Sequence, residues 1–142
     1  MELEELARIA VDCGFKVHTG LGPGLLESVY EVVLAHSLTQ RGLYVQRQYP
    51  VPIMFEGIQF EEGFRADLLV EERLLIELKS VEQLAPVHSK QVLTYLRLLN
   101  LPLGLLINFG APTFKAGVKR IVNNHTDGGA STLRIHQQKP KD

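Results

Sequence analysis

The sequence predicts an α/β protein, of the α+β type, in which helices flank a mixed central sheet. The predicted order is helix, helix, three strands, helix, strand, which favours helices on both faces of such a sheet. Residues 103–109 form a continuous apolar run, typical of a strand that is covered on both sides. A length of 142 residues suits one domain. We place this domain at residues 1–122 and predict that the polar residues 123–142 form a flexible tail.

Two helices are predicted before the first strand. Apolar residues at helical spacing indicate a first helix over residues 3–18, and the glycine-rich segment 20–24 ends it. Pro23 suits the first turn of a second helix, because a proline lacks only an N–H that would be unpaired there. This helix is expected over residues 24–41. Its predicted buried residues are Leu26, Val29, Val33 and Leu38.

The strands follow from alternation and turn residues. Residues 44–55 alternate, and Pro50 and Pro52 among them indicate an irregular strand or an edge strand. Gly57 turns the chain into a long strand, expected over residues 58–70, and a further strand is expected over residues 73–80.

The rest of the chain adds a helix and a strand. Pro86 opens a third helix, expected over residues 87–99. The residues predicted to point inward from this helix are Val87, Leu93, Leu96 and either Leu98 or Leu99. The apolar strand 103–109 follows, and residues 117–122 are expected to form a short strand or a helical turn.

Three charged residues interrupt two strands that are otherwise apolar. Asp67 lies in the segment FRADLLV, and Glu77 and Lys79 lie in LLIELKS. Charges seldom occupy such strands unless they are paired or bind a metal. Because side chains alternate along a strand, Glu77 and Lys79 point to one face, and Ile76 and Leu78 point to the other.

The turn between these strands predicts how the charges meet. A turn at residues 71–73 would place Asp67 directly across from Glu77. Two carboxylates and the ammonium of Lys79 on one face suit a hard divalent cation and the water that it activates. The alternative is a cross-strand cluster of salt bridges. It is less favoured, because desolvation offsets the attraction within a buried ion pair.

The second helix begins with a possible functional stripe. Gly24, Glu27 and Tyr30 are spaced by three residues, and Glu27 lies where the helix dipole favours an anion. Taken alone, Glu27 is more often a capping or solvated residue. Tyr30 alone is more often a core residue with a satisfied hydroxyl.

The third helix carries a second stripe, formed by His88, Gln91 and Tyr95. Its early turns can pack over the end of the Glu77 strand, and a glutamine and a tyrosine can hydrogen-bond a metal-bound water or a phosphate oxygen. In isolation, surface or packing roles are commoner. His88 could equally be a helix-start histidine without a chemical role, and the same ambiguity applies to His18.

Composition excludes several classes of protein. A net charge of −1 argues against a surface that is basic throughout, although a local basic lining is possible. Cys13 is the single cysteine, which excludes a disulfide framework and a cysteine zinc cluster, and no pair of histidines has zinc-ligand spacing. No apolar run approaches the ~20 residues of a membrane span, and no signal-peptide pattern is seen. We therefore expect a cytoplasmic protein.

Several of the motifs described above also resemble those of a known protein family. Asp67 followed by Glu77-Leu78-Lys79 resembles the bipartite signature of the PD-(D/E)XK nuclease superfamily, although Ala66 stands where the nominal signature has proline. Gln91 and Tyr95 are similar to the QxxxY motif of its exonuclease branch. Residues 24–30, GLLESVY, resemble the motif that names the GxxExxY protein family, a bacterial and archaeal group assigned to this superfamily. Further similar segments, including one at Gln48, occur in the expected order over residues 4–122.

The resemblance implies a restriction-endonuclease-like αβββαβ core with a metal-dependent site. The residues that it implies for binding Mg²⁺ or Mn²⁺ are Glu27, Asp67, Glu77 and, through its backbone carbonyl, Leu78. Lys79 would orient or deprotonate the attacking water and stabilise the developing charge. Gln91, supported by Tyr95, would hold the site or contact nucleic acid.

Three functional hypotheses follow. The leading one is a metal-dependent nuclease that acts on DNA, because the acidic and basic residues of the signature are all present. The second is a non-catalytic module of the same fold that acts with a protein partner, which the near-neutral charge favours. The third is a homo-oligomeric protein without catalysis, for example a homodimer formed through the strand that contains Pro50 and Pro52.

Overall fold

The computed structural model describes residues 1–60 and 63–124. Its elements follow the predicted order, except that five strands rather than three lie between the second and third helices, because the strands expected over residues 44–55 and 58–70 are each divided in two. The helices are α1 (Leu3–Leu21), α2 (Glu27–Gln40), α3 (Pro86–Leu99) and the short α4 (Phe114–Gly117). The strands are β1 (Val45–Pro50), β2 (Ile53–Phe55), β3 (Ile58–Phe60), β4 (Arg65–Val70), β5 (Leu74–Lys79), β6 (Leu103–Asn108) and β7 (Val118–Val122).

The main sheet has five strands in the order β1-β4-β5-β6-β7. Strands β5 and β6 are parallel and are connected through α3, whereas the other neighbours are antiparallel. This confirms the prediction of a mixed sheet with flanking helices. Strand β1 lies at an edge of the sheet, as Pro50 and Pro52 predicted, and Pro52 lies in the break between β1 and β2. Strands β2 and β3 form a separate two-stranded sheet.

The core lies on both faces of the main sheet. Helices α1 and α2 cover one face, where Tyr30 and Leu34 pack in one cluster with Ile76 and Leu78. Helix α3 covers the other face, where its own side chains pack in a second cluster with Leu75. All six residues of β6 are buried, which confirms that this apolar run is a strand covered on both sides.

The start of the second helix differs from the prediction. Helix α1 runs to Leu21, and α2 begins only at Glu27, so Pro23 lies in the loop between them. The cause is the backbone of this loop, since Gly22 has a φ of 75° and the residue before α2 is extended. Leu26 is consequently 74% exposed rather than buried. Val29 is also exposed, and the buried stripe of α2 is formed by Tyr30, Glu31, Leu34, Ala35 and Leu38.

Two further predictions of local structure were wrong. The long strand expected over residues 58–70 is divided into β3 and β4, and Gly63 between them has a φ of 108°, which a strand does not accommodate. Val87 is 61% exposed, because α3 packs through Val92, Tyr95 and Leu96.

The described residues end at Asn124, shortly after β7. Of the predicted tail 123–142, residues 125–142 lie outside the described residues. Asn123 is fixed, since its backbone N–H donates to Pro102 and its side-chain amide donates to Leu101. Among the helices of residues 1–60 and 63–124, none combines the length and the apolar character that a bilayer span requires.

Candidate active site

The charged residues of β4 and β5 lie together where this hairpin opens. Strand pairing joins Val70 to Leu74 and continues to Leu68 and Ile76. The next position in the same register places Asp67 opposite Glu77, as the turn at residues 71–73 predicted. The two acids therefore share one face at the end of the hairpin.

At this end, hydrogen bonds between side chains and backbone N–H groups connect the two strands in place of backbone pairing. The backbone N–H of Asp67 donates to Oε1 of Glu77 at 2.8 Å. The backbone N–H of Leu78 donates to Oδ2 of Asp67 at 2.8 Å. Each carboxylate thus accepts a backbone N–H from the strand opposite to its own, and these hydrogen bonds fix both acids.

The environment of the two carboxylates disfavours their charged forms. Burial raises the pKa of Glu77 to about 8, and the negative charge of Asp67 adds to this effect. Burial also raises the pKa of Asp67, and the charges of Glu31 and Glu27 act in the same direction. The site therefore has an excess of negative charge that a divalent cation would offset.

Lys79 is the positively charged residue that the sequence pattern places on the same face of β5 as Glu77. It lies two residues after Glu77 on β5 and is half-buried. Its charge lowers the pKa of Glu77, although less than burial raises it. Within residues 1–60 and 63–124, Lys79 forms no ion pair, so its ammonium is available to another anion.

Glu27 is close enough to act on these acids through its charge. It is the first residue of α2 and is exposed to solvent. The loop before it is attached to the end of β5, because the hydroxyl of Ser80 donates to the carbonyl of Leu25 at 2.5 Å. The charge of Glu27 contributes to the raised pKa of both Asp67 and Glu77.

The three predicted metal-binding acids are not gathered into one cluster. In the described part of the chain, no group of three or more His, Cys, Asp or Glu side chains is arranged to hold a metal ion. Asp67 and Glu77 are in contact through their strands, and Glu27 acts at longer range. Leu78 contributes its N–H to the site through Asp67.

The predicted stripe of the second helix is divided by the structure. Gly24 lies outside α2, whereas Tyr30 is fully buried. The Tyr30 hydroxyl donates to the carbonyl of Gly22 at 2.5 Å and accepts the N–H of Leu25 at 3.2 Å. Its ring stacks on Phe109 with centroids 4.5 Å apart. Tyr30 is therefore a core residue that anchors the loop before Glu27.

Helix α3 brings Tyr95 to the acidic face. Burial raises the pKa of Tyr95, and the charges of Glu77 and then Asp67 add to the shift. The ring makes an edge contact with Phe64 at a centroid distance of 6.3 Å. Gln91 lies one turn earlier and is half-buried, and no hydrogen bond of its side chain is found in the described part of the chain.

His88 and His18 have structural roles. His88 accepts the backbone N–H of Ala85 at Nδ1, 3.1 Å away, and so caps the start of α3. His18 is buried and donates from Nε2 to the carbonyl of Ala111 at 2.8 Å. Its ring lies beside Phe109 and Phe114.

Sequence reasoning missed Glu31 as a member of this region. Glu31 is buried and accepts hydrogen bonds from Arg47 Nε at 3.0 Å and from Gln48 Nε2 at 2.8 Å. Gln48 Nε2 also donates to Oδ1 of Asp67 at 3.2 Å. The available signal was the spacing of Glu27 and Glu31, which places two acids on one side of a helix.

A cavity lies away from these acids. Its volume is about 710 Å³, and it is bounded by the start of α3, by β7 and by the loop around Pro112. Lys90 and Lys119 are among its lining residues, whereas Asp67 and Glu77 are not. The predicted acids Asp67 and Glu77 therefore lie at the strand end and do not line this cavity.

Comparison with known protein families adds one finding. A family model described as the PD-(D/E)XK nuclease superfamily matches residues 4–121. The comparisons with curated proteins and with solved structures found no match. The family match spans α1 to β7, and the five-stranded mixed sheet with its flanking helices is consistent with a restriction-endonuclease-like fold.

Proposed function

Because the chain belongs to the PD-(D/E)XK nuclease superfamily, we propose that it is a metal-dependent nuclease that hydrolyses phosphodiester bonds of DNA. The observation that carries the proposal is the pair of facing acids, Asp67 and Glu77, with Lys79 two residues further along β5. The spacing of Gly24, Glu27 and Tyr30 supports membership of the GxxExxY group within the superfamily. The proposal treats residues 1–122 as one domain that acts in the cytoplasm.

The donor atoms at the site suit Mg²⁺ or Mn²⁺. These cations prefer oxygen ligands, and a bound cation would stabilise the ionised form of Glu77, which burial and the charge of Asp67 disfavour. The residues that would hold the cation are Asp67, Glu77, Glu27 and the carbonyl of Leu78. A bound cation would supply Lewis acidity toward the phosphoryl oxygen and the attacking water.

The remaining roles belong to residues beside the acids. The ammonium of Lys79 would attract the phosphate and stabilise the negative charge that develops on it. Its position next to Glu77 also suits it to orient the attacking water or to accept its proton. Tyr95 faces both acids from α3, and Gln91 one turn away would hold the site or contact the nucleic acid.

Cleavage assays with matched variants test this function. We expect the wild-type protein to cleave plasmid or single-stranded DNA only when Mg²⁺ or Mn²⁺ is present. Asp67→Asn and Lys79→Ala should abolish cleavage. Glu72→Gln in the exposed turn of the same hairpin and Lys16→Ala on α1 should retain it. Equal cleavage by all five proteins would indicate a contaminating nuclease and would contradict the proposal.

A second candidate is a non-catalytic module of this fold that acts with a protein partner. It is favoured by one observation, the apolar side of the β2–β3 sheet, where Phe55, Ile58 and Phe60 share a face and are exposed. The partner could be a second copy or another protein. Metal titration separates the two candidates, because a module without catalysis needs no divalent cation at Asp67 and Glu77.

A further inference from the structure

The side-chain amide of Gln48 lies between two carboxylates from different elements. Gln48 Nε2 donates to Oε1 of Glu31 on α2 at 2.8 Å and to Oδ1 of Asp67 on β4 at 3.2 Å. A primary amide has two N–H donors, and both are used here. Ionised carboxylates only accept hydrogen bonds, so a donor is the group that can bring two of them together.

The backbone of Gln48 is not extended, although the residue lies within β1. Its φ is 53°, in the left-handed region that favours glycine. The pairing of β1 with β4 joins Arg47 to Leu68 and Tyr49 to Ala66 but omits Gln48. The carbonyl of Gln48 accepts a hydrogen bond from Arg65 at 3.2 Å. Such a conformation costs free energy and persists where surrounding contacts hold it, often at functional sites.

Glu31 provides a fixed point for the amide. Its side chain is buried on α2, and Arg47 holds its second oxygen at 3.0 Å through Nε. Asp67 is less restrained, since Leu78 holds only Oδ2. Gln48 therefore connects Oδ1 of Asp67, which Leu78 does not hold, to the buried carboxylate of Glu31 on α2.

We propose that Gln48 is a positioning residue, whose amide ties Asp67 to the buried Glu31 and so aims the Asp67 carboxylate for cation binding. This inference rests on the proposed function, because it assigns Gln48 a duty at the same site. The amide itself need not contact the cation or the DNA.

The test is Mn²⁺ titration by calorimetry, together with kcat and KM for DNA cleavage. Gln48→Met keeps the length of the side chain and removes its donors. Gln48→Gly removes the amide and relieves the left-handed backbone. Both variants should bind Mn²⁺ about 10–100-fold more weakly and show a lower kcat, with KM for DNA little changed. Gln46→Met, on the same strand, should behave as wild type.

Thermal unfolding separates positioning from a structural role. Without metal, Gln48→Gly should unfold close to the wild-type temperature, because relief of the positive φ offsets the lost hydrogen bond to Glu31. The pair Gln48→Met and Glu31→Gln should also be non-additive in Mn²⁺ affinity, because the two residues form one connection.

The possible failures are distinguishable. Wild-type Mn²⁺ affinity and kcat in both Gln48 variants, with an active wild-type protein, would overturn this inference and leave the proposed function standing. A loss of thermal stability in Gln48→Gly with unchanged Mn²⁺ affinity would overturn it as well. Absence of Mn²⁺ binding by the wild-type protein would overturn the proposed function, and this inference with it.

Discussion

The two ends of the β4–β5 hairpin are built from the same strands but differ in what holds them together. Near the turn, Val70 and Leu74 are paired through the backbone and are fully buried. At the open end, Asp67 and Glu77 face each other, and their carboxylates bind backbone N–H groups of the opposite strand. One end is stabilised by apolar packing, and the other carries charges that burial disfavours.

This difference separates stability from chemistry within one hairpin. Apolar burial at the turn end contributes to the free energy of folding. At the open end, burial of two acids next to each other costs free energy, as the pKa of about 8 at Glu77 indicates. Sites that are unfavourable in the folded protein are often functional, so the open end is where a ligand is expected.

Truncation at the turn end should have the largest effect on stability. Leu74→Ala removes a fully buried side chain and should lower the free energy of unfolding by about 2–5 kcal/mol. Denaturant titration measures this change. Mn²⁺ affinity of the folded protein should remain at the wild-type value, and a parallel loss of affinity would contradict the separation of the two ends.

Removal of the Lys79 amine at the open end should lower activity and leave stability nearly unchanged. Lys79→Met keeps the length of the side chain and should lower kcat by about 10²–10³-fold, since a preorganised charge near the reacting phosphate is lost. Its free energy of unfolding should change little, because Lys79 forms no ion pair within the described residues. Lys16→Met on α1 is the control, and a similar loss of kcat there would rule out a specific role for Lys79.

Neutralising Glu77 should stabilise the metal-free protein in a pH-dependent way. The folded-state pKa of about 8 lies above the ordinary value of 4.5 for a glutamate, so the folded state holds this proton more tightly than the unfolded state does. The resulting penalty is absent below pH 4.5, grows between pH 4.5 and 8, and is complete above pH 8. Glu77→Gln removes it and should gain on the order of 1–3 kcal/mol at pH 8.

Thermal or chemical unfolding at several pH values tests this effect. Little gain is expected at pH 4.5, where both proteins carry a neutral side chain. Saturating Mn²⁺ should reverse the order at pH 8, because the wild-type carboxylate gains a ligand that the amide cannot match. A gain that is independent of pH would show that charge is not its cause.

The smallest effect is expected at the start of α3, away from both ends of the hairpin. His88→Ala removes the acceptor for the N–H of Ala85 and should cost about 0.5–1 kcal/mol of stability. Cleavage should be unchanged, since His88 acts as a helix cap. A large fall in kcat for this variant would assign His88 to the catalytic machinery instead.

Elements with strong local patterns were predictable from the sequence. The buried strand β6 and the order of helices and strands follow from apolar periodicity, and the facing of Asp67 and Glu77 follows from the turn at residues 71–73. The start of α2 was not predictable in this way. Its position depends on the positive φ of Gly22 and on the hydrogen bonds of the Tyr30 hydroxyl with Gly22 and Leu25, which keep Pro23 in the loop.

The site itself was only partly predictable, because it depends on residues that are distant in the chain. Asp67 and Glu77 are signalled by charges in apolar strands. Glu31 lies in a helix where glutamate is common, and its burial depends on Arg47. The contact of Gln48 with Asp67 needs a positive φ within a strand, which residue type alone does not indicate.

Calorimetric titration of the wild-type protein with Mn²⁺ near pH 7, in two buffers of different ionisation enthalpy, tests the central claim most directly. The account predicts one binding process that releases protons, because the pKa of about 8 leaves the Glu77 carboxyl largely protonated until a cation binds. Asp67→Asn should abolish this binding, and Glu72→Gln should not. No Mn²⁺ binding by the wild-type protein, or undiminished binding by Asp67→Asn, would contradict it.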